Sequence, residues 1–271
     1  NVSIINGSEI AETAKVVAGK DDPNMENATT HKKNAMFFME NSKVGKTLDV
    51  ETEHGAIHIA GGSIGGNANL TADSKGTDSG NIIIGYNSND PNVVTDKNST
   101  SIKGNIKAKS NLWTKAYSEG DLKFVGSDIA QKITAESKNG NVVFANSVAG
   151  SADLTAGQNA LSSNSTINEN LTMKATNQAI INKSKIGNDL TVNAGKIYVN
   201  ASNSPITDLT EVGGNFTANS QKNVSVYNMT VGEKATLKSG LTKQTPGHEK
   251  TSPTYLSNFK AKNLDVESGD N

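Results

Sequence analysis

Apolar and polar residues along the chain follow a seven-position pattern: one apolar residue, three other residues, and an apolar–polar–apolar triplet. The stretch from Ile186 to Val192 shows the pattern most clearly, with a triplet that starts at Leu190. Ten copies occur, and an eleventh, degraded copy lies at Leu264 to Val266. The ten copies begin at Ile10, Val44, Ile64, Ile102, Ile129, Val148, Ile167, Ile186, Val212 and Val231.

The spacing of these copies indicates a repeat. Successive copies start 34, 20, 38, 27, 19, 19, 19, 26 and 19 residues apart, so the basic period is 19 and the longer steps indicate insertions. A second apolar–polar–apolar triplet follows the first at a nearly fixed distance, as in Ile197 to Val199. The other second triplets lie at Ala35 to Met39, Ile57 to Ile59, Ile82 to Ile84, Leu122 to Phe124, Val142 to Phe144, Ala160 to Ser163, Ala179 to Ile181 and Val224 to Val226.

Alternation with a period of two predicts strands that have one buried face. A unit of such short strands cannot bury its own apolar face, but stacked units share a continuous core. The pattern therefore predicts an all-β fold, a right-handed parallel β-helix (solenoid) of about eleven coils of roughly 19 residues. The handedness follows from the usual chirality of parallel crossovers. We expect a single β-helix domain over residues 1–271.

Polar segments interrupt the repeat at two corners. We expect these insertions to be loops, because a stacked fold tolerates loops at its corners without disturbing the core. Binding residues are expected in them or on a flat strand face. The insertions span residues 17–34, 71–81, 85–101, 109–121, 200–211 and 241–254.

The composition narrows the possible partners. Hydrophobic residues make up 34% and aromatic residues 4%, which favours a thin core shared along a long axis. The net charge is −1 and all 26 basic residues are Lys, so we expect no nucleic-acid partner. The chain has no Cys, which excludes disulfides and thiolate metal sites. No apolar run approaches about 18 residues, so we expect no membrane insertion.

Two units carry a resemblance to a known family. The stretches Ile186 to Gly195 and Val212 to Ala218 resemble the repeats of haemagglutinin-type exoproteins of bacterial two-partner secretion. That family includes filamentous haemagglutinin, the high-molecular-weight Haemophilus adhesins and the stalks of contact-dependent growth inhibition proteins. The resemblance covers nearly the whole chain and concerns its architecture. The Asn-Pro-Asn-Gly motif of the secretion domain is absent, and Asp90-Pro91-Asn92 is not that motif, so we expect a fragment of the repeat region.

The resemblance implies a function. It implies a secreted adhesin on the bacterial cell surface, exported through an outer-membrane partner transporter. Such a protein attaches as a monomeric rod to a host-cell receptor or glycan, through its corner loops. One alternative is the β-helical stalk of a contact-dependent growth inhibition effector, in which the present segment is a spacer.

A second alternative is a β-helical enzyme that acts on polysaccharides. Asp49, Glu51 and Glu53 alternate along the chain and share an outward face, as paired catalytic carboxylates can. An acidic sugar needs a positive partner in such a site, and the chain has no Arg and only one Trp for sugar stacking. We therefore interpret these carboxylates as a solvated acidic face and expect no enzyme activity and no cofactor.

The resemblance also implies modification sites, and the exposed aromatic residues are candidates for binding. The family's adhesins are modified at Asn-x-Ser/Thr sequons, but a chain rich in Asn, Ser and Thr also forms sequons by chance, and Asn side chains at repeated turns can instead stack in ladders. The possible glycosylation sites are Asn69, Asn98, Asn164, Asn170, Asn200, Asn215 and Asn228. The aromatic residues Tyr86, Trp113 and Tyr117 lie on or beside insertions and are possible receptor contacts; the alternative is that Trp113 and Phe124 cover the edge of the core.

The histidines raise the question of a metal site. His54 and His58 lie near Glu51 and Glu53, which gives a possible set of metal ligands. Because His58 alternates with Ile57 on a predicted strand, we expect its side chain to point outward. We therefore expect two solvated histidines and no metal.

Overall fold

The structure is a computed structural model that describes residues 1–19, 36–74, 80–85, 100–110, 120–240 and 253–269. These ranges contain 25 strands and no helix. Every strand pairing described below is parallel. The all-β prediction is confirmed, and the parallel pairing is consistent with a β-helix or solenoid.

The chain divides into two compact units, residues 1–150 and residues 151–271. Each unit is described by itself, and the single domain over residues 1–271 stays a prediction. Within each unit we call the strands that carry the first triplets first-triplet strands, and those that carry the second triplets second-triplet strands. Short stretches that contain the first apolar residue of the pattern are called corner strands.

The first unit has three parallel ladders. First-triplet strands β3, β5, β7, β10 and β12 pair in that order. Second-triplet strands β1, β4, β6, β8, β11 and β13 form another ladder. Corner strand β2 and parts of β4, β6, β9 and β12 form the third. The strand bounds are β1 (Val2–Ile4), β2 (Glu9–Ile10), β3 (Ala14–Ala18), β4 (Phe37–Val44), β5 (Leu48–Thr52), β6 (Ile57–Ile64), β7 (Ala68–Ala72), β8 (Ile82–Gly85), β9 (Thr100–Ile102), β10 (Ile106–Ser110), β11 (Leu122–Val125), β12 (Ser127–Ser137) and β13 (Val142–Ala145).

The second unit repeats the arrangement with longer strands that turn a corner and serve two ladders. First-triplet residues of β14, β17, β19, β21, β23 and β25 pair in that order. Second-triplet residues of β15, β17, β19, β22 and β24 form the next ladder, and β16, β18, β20 and the end of β22 form the corner ladder. The bounds are β14 (Val148–Ala156), β15 (Asn159–Ser163), β16 (Thr166–Ile167), β17 (Leu171–Asn182), β18 (Lys185–Ile186), β19 (Leu190–Val199), β20 (Thr210–Val212), β21 (Phe216–Ser220), β22 (Val224–Val231), β23 (Lys234–Ser239), β24 (Thr254–Lys260) and β25 (Asn263–Ser268).

The pairing register confirms the predicted repeat. Leu171 pairs with Leu190, 19 residues further on, and Leu190 pairs with Phe216, across the predicted longer step of 26 residues. Phe216 in turn pairs with Ala235. The residues that the pattern aligns are therefore the residues that stack, and the extra residues of a long step leave the ladder unchanged.

The core is built mainly from the apolar residues of the triplets, together with corner residues such as Ile186. Leu190, Val192, Ile197 and Val199 are all fully buried, so both triplets of β19 face inward. Their burial follows from the strand alternation, which sends successive side chains to opposite faces. The degraded copy differs, since Leu264 and Val266 are 46% and 47% exposed.

One copy of the pattern is misplaced by a residue. Val148, predicted as the first apolar position of its copy, is 40% exposed, whereas Ala149 is fully buried. The buried Ser147 precedes Val148, so alternation sends Ala149 inward. Only two residues separate Ala149 from the buried Ala152, so this repeat is one residue shorter at the corner than the pattern assumes.

The corner after the second triplet has a structure that the apolar pattern does not reveal. In the second unit the residue at this corner has a left-handed backbone, with φ of 48° at Asn164 and 44° at Lys183. Asn tolerates this conformation better than most residues because its side chain can hydrogen-bond locally. The next residue is a buried serine, and the hydroxyls of Ser165 and Ser184 donate to the carbonyl oxygens two residues earlier, at 2.8 and 2.9 Å. The buried hydroxyl groups of this corner therefore have hydrogen-bond partners within the fold.

Glycine follows the first apolar residue of several copies for a steric reason. A Cβ atom at Gly213 would overlap the carbonyl oxygen of Gly187 in the preceding repeat. The amide of Gly213 donates to the carbonyl oxygen of Ile186 at 2.9 Å, so the two backbones are in direct contact at this corner. The close approach of stacked repeats therefore requires the absence of a side chain at this position.

Of the predicted insertions, only the one at residues 200–211 is described throughout. Its last two residues, Thr210 and Glu211, already belong to β20. The insertions at residues 17–34, 71–81, 85–101, 109–121 and 241–254 are described only at their ends, where residues such as Val17 and Thr254 belong to strands. Strands therefore run one or more residues into segments that the apolar pattern predicts to be loop.

Candidate functional site

The described insertion is a loop of two consecutive turns. It leaves β19 at Asn200 and returns to the ladder at Thr210. The amide of Ser204 donates to the carbonyl oxygen of Ala201 at 3.0 Å, and that of Asp208 donates to the carbonyl oxygen of Pro205 at 2.8 Å. These local bonds give the loop a defined shape without regular strand pairing.

Side chains from two neighbouring repeats fix the loop. Asn228 Nδ2 donates to the carbonyl oxygens of Ser204 and Pro205, at 3.2 and 3.0 Å. On the other side, Lys183 Nζ lies 2.8 Å from Asp208 Oδ1. Asn228 is 6% exposed, so its amide is a buried anchor. In the ion pair, the side chain of Lys183 is half-exposed and that of Asp208 is 17% exposed. The loop is therefore held from both sides along the ladder.

The tip of this loop exposes an apolar side chain. Ile206 is 77% exposed, the highest value among the described large apolar residues. Ile206 is thus an exposed apolar side chain on a loop whose backbone is held by hydrogen bonds. The sequence pattern missed Ile206, and the available signal was an isolated Ile within a polar insertion, directly after Pro205.

The predicted glycosylation sites differ in accessibility. Asn69, Asn164, Asn170 and Asn215 are exposed. Two of these side chains contact a carboxylate of the preceding repeat, since Asn69 Nδ2 lies 2.7 Å from Asp49 Oδ1 and Asn215 Nδ2 lies 3.1 Å from Asp189 Oδ1. Glycosylation at these positions stays a prediction, in competition with a structural role.

Two of the sequons are built into the fold. Asn200 is 3% exposed, and its Nδ2 donates to the carbonyl oxygens of Tyr227 and Asn228 at 2.8 and 2.9 Å. Asn228 Nδ2 holds the loop as described above. N-glycosylation attaches the sugar to Nδ2 in place of one of its protons. Modification of either residue would therefore break these bonds in the folded chain. Asn98 lies outside the described residues.

The proposed aromatic contacts Tyr86, Trp113 and Tyr117 also lie outside the described residues. The structure instead shows three other tyrosines, Tyr198, Tyr227 and Tyr255, on the second-triplet strands of the second unit.

His54 and His58 are not solvated, contrary to the sequence-based expectation. His54 is 5% exposed, and His58 is half-buried with its Nε2 shielded from solvent and without a hydrogen-bond partner. The His58 ring contacts that of Phe38 edge to face, with centroids 5.1 Å apart. Burial lowers the pKa of His58, opposed by a hydrogen bond to the backbone of Gly85 and by the charge of Glu40. Alternation did place His58 on the outer face, but its neighbours cover it.

The other candidates from the sequence are a metal site and the outward carboxylates of β5. Across the ranges that the structure describes, no three His, Cys, Asp or Glu residues are grouped closely enough to hold a metal ion. Asp49 and Glu51 lie on β5 and point outward, where Asn69 contacts Asp49. Within the same ranges, no helix has the length and apolar character needed to cross a membrane.

Comparison of the chain with protein-family models, with curated proteins and with solved structures finds no match.

Proposed function

We propose that the chain is a right-handed parallel β-helix from a secreted bacterial surface adhesin, which attaches to a host-cell receptor or glycan through its corner loops. The resemblance of its repeats to those of two-partner-secretion exoproteins supports this class. It also supports export through an outer-membrane partner. Parallel ladders with short strands and corner insertions agree with such an architecture. The usual chirality of parallel crossovers supports the right hand.

The observation that carries the proposal is the loop at residues 200–209. It is fixed by Asn228 and Lys183 from both sides, and it presents Ile206 with 77% of its surface exposed. A rigid loop loses little conformational freedom on binding, and an exposed apolar side chain offers surface that a receptor can bury. These are the properties of an attachment loop.

A substitution at the tip tests this function. We expect Ile206→Asp to weaken binding of the labelled chain to host cells about tenfold or more, because it places a charge where an apolar contact is buried. Thr207→Ala, at an exposed neighbouring position, is the control and should bind as the wild type does. Both variants should melt like the wild type, since exposed positions contribute little to stability.

The outcome also separates the alternatives. Unchanged cell binding by Ile206→Asp, and by a variant in which residues 201–209 are replaced with a short turn, would show that this loop is not the attachment site. A chain that binds no cells at all would favour the alternative role as a spacer in a growth inhibition effector. Cleavage of a polysaccharide by the chain would favour the enzyme.

A further inference from the structure

One strand face of the second unit differs in chemistry from the first-triplet face of the same unit. It is formed by the outward side chains of the second-triplet ladder, on β15, β17, β19, β22 and β24, and by Asn223 directly before β22, and we call it the neutral face. Its residues are Asn159, Leu161, Ser163, Gln178, Ile180, Asn182, Lys196, Tyr198, Asn223, Ser225, Tyr227, Tyr255 and Ser257.

The neutral face is almost free of charge. Lys196 is the one charged side chain among these described residues, although charged residues make up 20% of the chain. The outward first-triplet face of the same unit is different, since it includes Lys238 and Glu267, which form an ion pair with Nζ and Oε2 2.8 Å apart. Depletion of charge together with enrichment of tyrosine is the composition of a binding surface rather than of a solvated one.

Apolar and aromatic side chains run along the centre of this face. Pairing places Leu161, Ile180, Tyr198, Ser225 and Tyr255 in one outward column, each on the next strand of the ladder. Successive strands are about 4.8 Å apart, so the column is a regular row. Tyr255 is 54% exposed, whereas the small Ser225 between the two tyrosines is 6% exposed.

Amide side chains accompany this row. Asn159 pairs with Gln178, and Gln178 pairs with Lys196, so these residues form a column directly beside the apolar one. Asn223 continues that column one strand further, and its Nδ2 lies 3.4 Å from Ser225 Oγ. An amide can both donate and accept a hydrogen bond, as a sugar hydroxyl can. Tyrosine supplies an apolar ring face with a polar tip.

These features define one ligand chemistry. A sugar ring has an apolar face of C–H groups and a rim of hydroxyls, which match the aromatic row and the amide column. An acidic sugar would find a single Lys here and no Arg to pair with its carboxylate. The strand spacing is close to the length of one hexose in an extended chain, so successive sugars can meet successive repeats.

We propose that the neutral face binds an extended, uncharged polysaccharide chain that lies along the ladder, with Tyr198 and Tyr255 stacking on sugar rings and the neighbouring amides bonding their hydroxyls. The inference rests on the proposed function in so far as a glycan is one of its two proposed receptors. It adds a binding surface made of strand residues to the loop tip at Ile206.

Isothermal titration with neutral hexasaccharides tests the inference directly. The probes are cellohexaose, chitohexaose and mannohexaose, with oligogalacturonate as the acidic counterpart. We expect the full chain to bind at least one neutral probe and to bind oligogalacturonate more weakly. Tyr198→Ala and Tyr255→Ala should each weaken binding about tenfold, as loss of a central aromatic contact does.

Two further variants keep the result interpretable. Tyr198→Phe retains the ring and should bind nearly as the wild type does. Thr191→Ala changes an outward residue on the other face of the same strand, β19, and should leave binding unchanged. Since Tyr255 is more than half exposed, Tyr255→Ala remains informative even if Tyr198→Ala lowers the melting temperature.

Several results would overturn the inference. These are no binding of any neutral probe, preferential binding of oligogalacturonate, and equal binding by wild type and both alanine variants. The inference would also be overturned if the chain bound no saccharide but associated with itself or with a host protein, and Tyr255→Ala lost that association. Cell attachment that still requires Ile206 in that case would leave the proposed function intact.

Discussion

Replacing Phe216 by Ala probes the alternation on which the fold depends. Phe216 is fully buried and lies in the first-triplet ladder between Leu190 and Ala235. Truncation of a buried Phe costs about 3–5 kcal/mol, as lost burial plus the cavity that remains. Ala235 carries only a methyl group and cannot fill the space from its side. We therefore expect the upper half of that range, about 4–5 kcal/mol.

The neighbouring residue provides the control. Thr217 follows Phe216 on β21 and points outward, so Thr217→Ala should change stability by less than about 0.5 kcal/mol. Urea unfolding followed by circular dichroism measures both variants. Hydrogen exchange should locate the loss of protection in the repeats next to Phe216, because repeats are stabilised by their nearest neighbours. If Phe216→Ala and Thr217→Ala unfolded at the same urea concentration, the assignment of inward and outward faces would be refuted.

Two further predictions concern a glycine and a histidine. Gly213→Ala should destabilise the second unit by about 1–3 kcal/mol, because the added Cβ overlaps the carbonyl oxygen of Gly187. An unchanged melting temperature of this variant would contradict the close stacking of the two backbones. Burial lowers the pKa of His58 below its usual 6.5, so at mildly acidic pH the unfolded chain binds a proton that the folded chain does not. The free energy of unfolding should therefore fall as pH drops through 6.5, and His58→Phe should lose part of that fall in urea titrations at a series of pH values. Parallel pH profiles for wild type and variant would show that His58 does not contribute.

The repeat and its register could be predicted because they depend on local alternation. A strand residue is buried or exposed according to its parity, so the triplet at Leu190 to Val192 identifies its own inward face. Stacking then follows, since a displaced pairing would bury polar residues. The error at Val148 has the same origin, because a corner shortened by one residue changes the parity without changing the apolar composition.

The candidate site was less predictable. Ile206 stands in a polar insertion with no periodicity, and its exposure depends on anchors at Lys183 and Asn228, which lie in other repeats. The buried position of Asn228 could not be predicted either, because a sequon has the same sequence whether its amide points to solvent or holds a loop. The covering of His58 depends on Phe38, a residue of the preceding repeat.

By itself the sequence determined the all-β fold, the period of the repeat and the inward residues, because these depend on the alternation of neighbouring side chains. Tertiary structure decided which outward residues meet where the apolar pattern fails. The predicted triplets already align Tyr198 with Ser225, but the pattern contains no second triplet near residue 255, and only the parallel pairing places Tyr255 next to Ser225 in the row. The chemistry of the neutral face is therefore a property of the ladder, since each repeat contributes a single residue to the row.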